Sequence, residues 1–195
     1  MEPGKHYHLY THANGFENLF RSDENYRYFL RRYDHFTNPV ADTLAWCLMP
    51  NHIHYLIRIK TEEEIESTFG KFETFQKLEA RVSKQFANLF SSYTQAFNKM
   101  YSRRGSLFIP NFKRKEITSD SYLTNIIFYI HTNPLRHGFV KEIAAWPWSS
   151  YQDLLQETPT TLKREEVIQW FGNHDEFIKF HRQPLFDGMT EDWFL

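Results

Sequence analysis

The spacing of apolar residues changes period several times along the chain, and each change marks an element. His6–His12 alternates and is rich in Tyr and His, which reads as a strand. Asn14-Gly15 follows as a turn. Tyr26, Phe29, Leu30 and Tyr33 share one face of a helix reaching Phe36, with Ser22 or Asp23 as its cap and Asn38-Pro39 as its stop. Thr43–Met49 is a short apolar run read as a strand, Pro50-Asn51 is a turn, and His52–Lys60 is a strictly alternating strand. Glu62–Met100 has helical periodicity, divided in two near Gly70. Ser106–Ile117 reads as extended, and Pro110 confines part of it to an edge or a bulge. Ser119 or Asp120 caps a helix running to about Thr132, and Pro134 is expected to block its continuation. Trp146–Ser150 opens a helix over Tyr151–Gln156, short helices follow at Arg164–Trp170 and Asp175–His181, and the tail after Pro184 reads as loop. With at least one hairpin, no Gly-rich phosphate loop and no internal repeat, the order predicts an α+β fold, an antiparallel sheet with helices packed on one face.

Composition narrows the class. The chain has 195 residues, 41% hydrophobic and 18% aromatic, enough for one domain with a real core and incompatible with disorder or low complexity. The single cysteine, Cys47, excludes an internal disulfide framework and a Cys-based zinc module. There is no run of about 18 apolar residues and no signal-peptide core in Met1–Leu9, so a soluble, cytoplasmic protein is expected. The net charge of −1 hides an asymmetry: no acidic residue lies between Glu79 and Glu116, a window holding Arg81, Lys84, Lys99, Arg103, Arg104, Lys113, Arg114 and Lys115. These alternate with Phe86, Phe90, Tyr93, Phe97, Tyr101, Phe108 and Phe112. Charge for phosphates and rings for bases is what single-stranded nucleic acid requires, while a solvated helix face is the plainer alternative.

Two segments carry candidate chemistry. In the strand His52–Ile59, Ile53, Tyr55, Ile57 and Ile59 form one apolar face, so His52 and His54 point together to the other. Two imidazoles at i and i+2 can grip one metal ion with open positions, and they can equally be chance residents of a half-exposed strand. In the helix from Ser119, Leu123, Ile126, Ile127 and Ile130 form the buried stripe, and Tyr122, Tyr129 and Asn133 form a second. Tyr129 and Asn133 lie one turn apart and can reach one point. Taken singly, Tyr129 also reads as a boundary tyrosine and Asn133 as a helix stop.

In combination the segments are more specific. Met49-Pro50-Asn51-His52-Ile53-His54 resembles the His-hydrophobic-His (HUH) motif of single-tyrosine transposases, relatives of the insertion-sequence 200 type. The run from Tyr129 to Val140, with its Asn-Pro-x-Arg-x-Gly core, resembles the tyrosine helix of the REP-associated tyrosine transposase branch. Tyr7–Tyr26, Arg103–Phe108 with Phe112-Lys113, and Trp148–Tyr151 are similar to further family segments in the same order, covering roughly residues 5–155.

The resemblance implies a ferredoxin-like HUH endonuclease fold over residues 1–150, with 151–195 as a C-terminal helical extension packed on the same domain. It implies metal-dependent cleavage and strand transfer of single-stranded DNA at hairpins through a 5′-phosphotyrosine intermediate. Tyr129 becomes the nucleophile, and His52, His54 and Asn133 become ligands of Mg²⁺ or Mn²⁺. Arg103, Arg104, Lys113, Arg114 and Lys115 become holders of the DNA backbone. Two alternatives stay open: a domesticated hairpin-DNA binder with the same fold, and a metal-dependent phosphoesterase in which Tyr129 is structural. Monomer and helix-exchanged homodimer are both compatible with the sequence, and no membrane partner is expected.

Overall fold

The structure, a computed structural model, describes residues 1–185; the tail expected as loop after Pro184 lies, beyond Leu185, outside the described residues. Four strands, β1 (His6–His12), β2 (Ala41–Leu48), β3 (His52–Ile59) and β4 (Lys113–Ile117), form one antiparallel sheet in the order β2-β3-β1-β4. The α+β fold and its antiparallel sheet are as expected. β1 and β3 are central, with Tyr10 opposite His54 and His12 opposite His52. That register follows from burial: a one-residue slip would turn Ile53, Tyr55, Ile57 and Ile59, each at most 1% exposed, out of the core.

The apolar face packs on α1 (Asp23–Thr37) and α3 (Phe75–Met100), the helix layer anticipated from the sequence. Tyr33 of α1 stacks on Tyr55 at 4.0 Å. Leu78, Val82, Phe86, Leu89, Tyr93 and Phe97 of α3 are buried at steps of three and four, the spacing of one helical face. α2 (Glu62–Phe69) precedes α3, closed by a capping box between Thr61 and Glu64, and Gly70 at φ +82° breaks the two apart as expected. Phe86, Tyr93, Phe97 and Phe108 of the basic window are therefore core, not stacking surface.

A second layer lies on the opposite face. α4 (Asp120–Arg136) packs on β2 and β3, and α6 (Arg164–Phe171) and α7 (His174–His181) pack on α4. α4 outruns its expected end at Thr132. Pro134 sits within its last turn, where a missing N–H forfeits one bond, and His137 N–H still donates to Asn133 O at 3.1 Å. Gly138 at φ +71° supplies the left-handed stop, so Asn133 is an interior helical residue and not the terminus. All eight residues of β2 are buried because the chain around Trp148–Lys163, including α5 (Tyr151–Leu155), covers its outer edge. Leu48 N–H donates to Trp148 O, Ser150 N–H to Trp46 O and Lys163 N–H to Thr43 O. β4 forms the other edge, with only Ile117 of its five residues buried.

Candidate functional site

The non-apolar face of β1 and β3 carries His8, Tyr10 and His12 beside His52 and His54. The strand pleat puts these five rings on one side, and α4 lies over them. His12 stacks on His52 at 4.9 Å, His8 on Tyr10 at 5.0 Å, and His52 meets His54 edge to face at 5.2 Å. Tyr129 brings its ring to 5.4 Å from that of His54 and 6.0 Å from that of His8, nearly perpendicular to both. Asn133, one turn on, sets its Oδ1 3.0 Å from Nε2 of His52, a residue 81 positions away in the chain. The two segments singled out by their patterns thus meet in one site, and Tyr129 does so beside the histidines of its own chain.

The protonation of His52 defines what the site can hold. Burial pushes its pKa down to about 4, outweighing the Asn133 contact that raises it, so the ring is neutral near pH 7 and has one N–H. Its Nδ1 lies 2.8 Å from Asn51 Oδ1, which only accepts. With the proton there, Nε2 and Asn133 Oδ1 confront each other as two lone pairs. Donors at right angles around a hard cation, with bonds of about 2.05 Å, lie about 2.9 Å apart, so this pair suits one edge of an octahedral site. Desolvation also drives His54 well below 6.5, with the neighbouring His8 second, and its Nδ1 pairs with His8 Nε2 at 3.0 Å. A ring nitrogen held in this way leaves the other free to ligate. The residues present therefore fit a divalent ion held by His52, His54 and Asn133. Among the described residues, no cluster of three or more His, Cys, Asp or Glu side chains offers a competing site.

Three functional candidates escaped the sequence reading. Asn51 and His8 orient the two histidines. Strand alternation could have placed His8 on their face, but only the β1–β3 register shows that it touches His54. Arg136 holds its guanidinium 5.7 Å from the Tyr129 ring centre. His131 takes part in a buried chain with Ser150 and His181.

The five basic candidates do not form one patch. Lys113 and Lys115 face the tyrosine side, each ammonium 5.9 Å from a ring, of Tyr10 and Tyr122 respectively. Arg114, between them, faces the α3 side of the sheet edge. Arg104 is exposed. Arg103 is engaged internally: it donates to Glu17 Oε1 at 3.0 Å, Asn98 Oδ1 at 3.0 Å and Ser106 O at 2.8 Å, pinning the loop after α3.

No helix among the described residues is long and apolar enough to cross a membrane. No protein-family model matches the chain. A Haemophilus influenzae protein curated under the name REP-associated tyrosine transposase is 27% identical over 140 residues, covering 71% of each chain. The solved structure of a REP-associated tyrosine transposase bound to a REP hairpin superposes with a TM-score of 0.57 at 19% identity, covering 80% of this chain and 84% of that one. The chain is thus similar in sequence to a curated REP-associated tyrosine transposase and in fold to a solved one.

Proposed function

We propose that this protein is a DNA-nicking and strand-transferring transposase acting on single-stranded DNA at hairpins. The observation that carries the reading is the placement of Tyr129 against His54, with Asn133 against His52, on the polar face of the sheet. A structural tyrosine needs no such partners, and a simple binding module needs no paired imidazoles there. The relative bound to a hairpin supplies the same fold.

In this reading the Tyr129 oxygen attacks the scissile phosphorus and the bond to the 3′ oxygen breaks. The enzyme keeps the 5′-phosphate as a phosphotyrosine ester, the phenolic proton leaves to solvent, and the 3′-oxygen takes one up. A second strand's 3′-OH reverses the exchange, so bond energy is conserved and no nucleotide cofactor is needed. A tyrosine hydroxyl ionises near 10, so charge must be stabilised as it develops. Arg136 is placed to offset the growing phenolate and to draw in the phosphate. His52, His54 and Asn133 would hold Mg²⁺ or Mn²⁺, which when bound polarises the phosphodiester. His8 and Asn51 keep the two imidazoles aimed. Lys113, Lys115 and Arg104 are the residues we assign to the DNA backbone, with Arg103 shaping the loop that carries Arg104. Residues 1–150 form the catalytic unit in this reading. The extension from 151, as far as it is described, braces α4 from behind.

The test is covalency. Hairpin oligonucleotides with single-stranded flanks, taken from the host's repeats, are incubated with protein and Mn²⁺ and resolved on denaturing gels. A metal-dependent protein–DNA adduct that vanishes in Tyr129→Phe is expected. Cleavage that persists in Tyr129→Phe without an adduct would overturn the mechanism and favour a hydrolase.

A further inference from the structure

The contacts that α4 makes towards the site do little to fix its rotation. Asn133 Oδ1 and His52 Nε2, 3.0 Å apart, present lone pairs to each other, so the protein gains no hydrogen bond there. Tyr129 meets the rings of His54 and His8 edge to face at 5.4 and 6.0 Å, and such contacts tolerate sliding. The buried stripe of Leu123, Ile126, Ile127 and Ile130 adds adhesion without direction. Midway between Tyr129 and Asn133 in sequence is His131, whose contacts are of another kind. It is 0% exposed, and both of its ring nitrogens are engaged outside α4. Nε2 lies 2.8 Å from Ser150 Oγ, and Nδ1 lies 2.9 Å from Nε2 of His181 on α7. Ser150 is itself fixed to β2, its N–H donating to Trp46 O at 2.9 Å and its Oγ accepting from Trp46 N–H at 2.8 Å. His181 is fixed within α7, its Nδ1 lying 2.8 Å from Phe177 O. The rings of Tyr151 and Phe177 stand 5.6 and 6.1 Å from that of His131. Burial keeps both imidazoles neutral, so each has one donor and one acceptor nitrogen. Directional bonds on both sides of one ring resist any turn or slide of the helix that bears it.

We propose that His131 is the positioning residue of the tyrosine helix: held between Ser150 and His181, it sets the rotation and depth of α4, and through them the places of Tyr129 and Asn133 over His52 and His54. The proposal rests on the transposase reading and adds to it a residue that touches neither the DNA nor the metal. Residues 129 to 133 span about 6 Å of one continuous helix, too short a length to absorb a displacement between the anchor and its two neighbours. A rotation of α4 by about 10° carries a tyrosine oxygen, about 8 Å from the helix axis, through about 1.4 Å. A misplacement of about 1 Å can cost about a hundredfold in rate. The chain of bonds also gives the segment from Ser150 to His181 a part in the reaction, because it supplies both ends of the clamp on His131.

The test separates positioning from folding. His131→Phe keeps a ring and removes both bonds. His131→Gln replaces them in kind, its amide N–H donating towards His181 and its amide oxygen accepting from Ser150. Each variant is compared with wild type at a temperature where circular dichroism shows it folded. Three quantities are measured: hairpin affinity, the single-turnover rate of the Tyr129 adduct at saturating hairpin and Mn²⁺, and Mn²⁺ affinity by titration calorimetry without DNA. His131→Phe is expected to bind the hairpin within about twofold of wild type and to form the adduct about 30–100-fold more slowly. Its Mn²⁺ affinity should fall about tenfold, because Asn133 is displaced from His52. His131→Gln should keep the adduct rate within about fivefold of wild type. Ser150→Ala, which cuts the chain from outside α4, should reproduce the split seen in His131→Phe and replaces it if that variant does not fold. A wild-type adduct rate in folded His131→Phe or Ser150→Ala would overturn the proposal. So would a loss in His131→Gln as large as in His131→Phe, or a loss of hairpin affinity equal to the loss of rate. If wild type itself formed no adduct, the transposase reading would fail, and the Mn²⁺ affinities of the same variants would still decide whether His131 places Asn133.

Discussion

Ser150→Ala should destabilise this protein far more than the loss of one hydroxyl suggests. Ser150 and His131 are 0% exposed, and His181 is 4% exposed. His181 Nδ1 lies 2.8 Å from Phe177 O, which can only accept, so the proton is on Nδ1. Burial pushes His181 down to about 4, so its Nε2 is bare near pH 7 and accepts from His131 Nδ1 at 2.9 Å. His131 Nε2 is then bare in turn and accepts from the Ser150 hydroxyl at 2.8 Å, while Ser150 Oγ accepts from Trp46 N–H at 2.8 Å. The chain runs in one direction only, and it ties the edge of β2 to α4 and α4 to α7. Removing Oγ orphans two buried groups, the Trp46 N–H and His131 Nε2. At about 1–3 kcal/mol each, less what local relaxation recovers, the loss is about 3 kcal/mol. For a chain of this size that is a fall in Tm of about 6–12 °C. Calorimetry and urea denaturation at pH 7.5 measure it. A loss below about 1 kcal/mol would refute the directional chain, because the orphaned groups would have to be finding other partners.

The same chain predicts acid lability. His131 and His181 are held neutral by burial, His131 well below 6.5 and His181 near 4, so the unfolded state binds more protons between those values and 6.5. Stability is full above pH 6.5 and falls as pH drops towards 4, by about 3 kcal/mol for His181 alone; an equal urea midpoint at pH 7.5 and pH 5 would contradict this. His8→Phe, which keeps a ring against Tyr10 and Tyr129 but removes the bond to His54, should weaken Mn²⁺ binding roughly ten-fold or more by titration calorimetry; unchanged affinity would remove His8 from the site. Lys113→Ala and Lys115→Ala should each lower the slope of log binding against log salt by about one for hairpin DNA. Arg103→Ala should instead lower Tm and leave that slope unchanged, and the opposite pattern would reverse the division drawn between these residues.

What the sequence shows and what it hides divide along a physical line. Periodicity has a local cause, so the alternation of His52–Ile59 and the three-four spacing of α3 locate elements and faces directly. Even the break at Gly70 is local, since a positive φ there suits no other residue as well. Pro134 misled because its effect depends on position: in a helix interior it breaks the ladder, and in the last turn it removes a single bond. The partners of each face are non-local, and there the chain is silent. Nothing in the spacing of His8 says that it will touch His54; that follows from β1 lying beside β3, which is decided by the burial of the opposite face. Nor does the density of charge between Arg81 and Lys115 say where each charge goes. β4 sends Lys113 and Lys115 one way and Arg114 the other, while Arg103 turns inward to Glu17. A candidate site read from residue types is therefore soundest where the residues share one element, as His52 with His54 and Tyr129 with Asn133 do. The step that remained was to bring those two elements together. The side chains that cross the gap, Asn133 to His52 and Tyr129 to His54, are the ones on which the proposed chemistry rests.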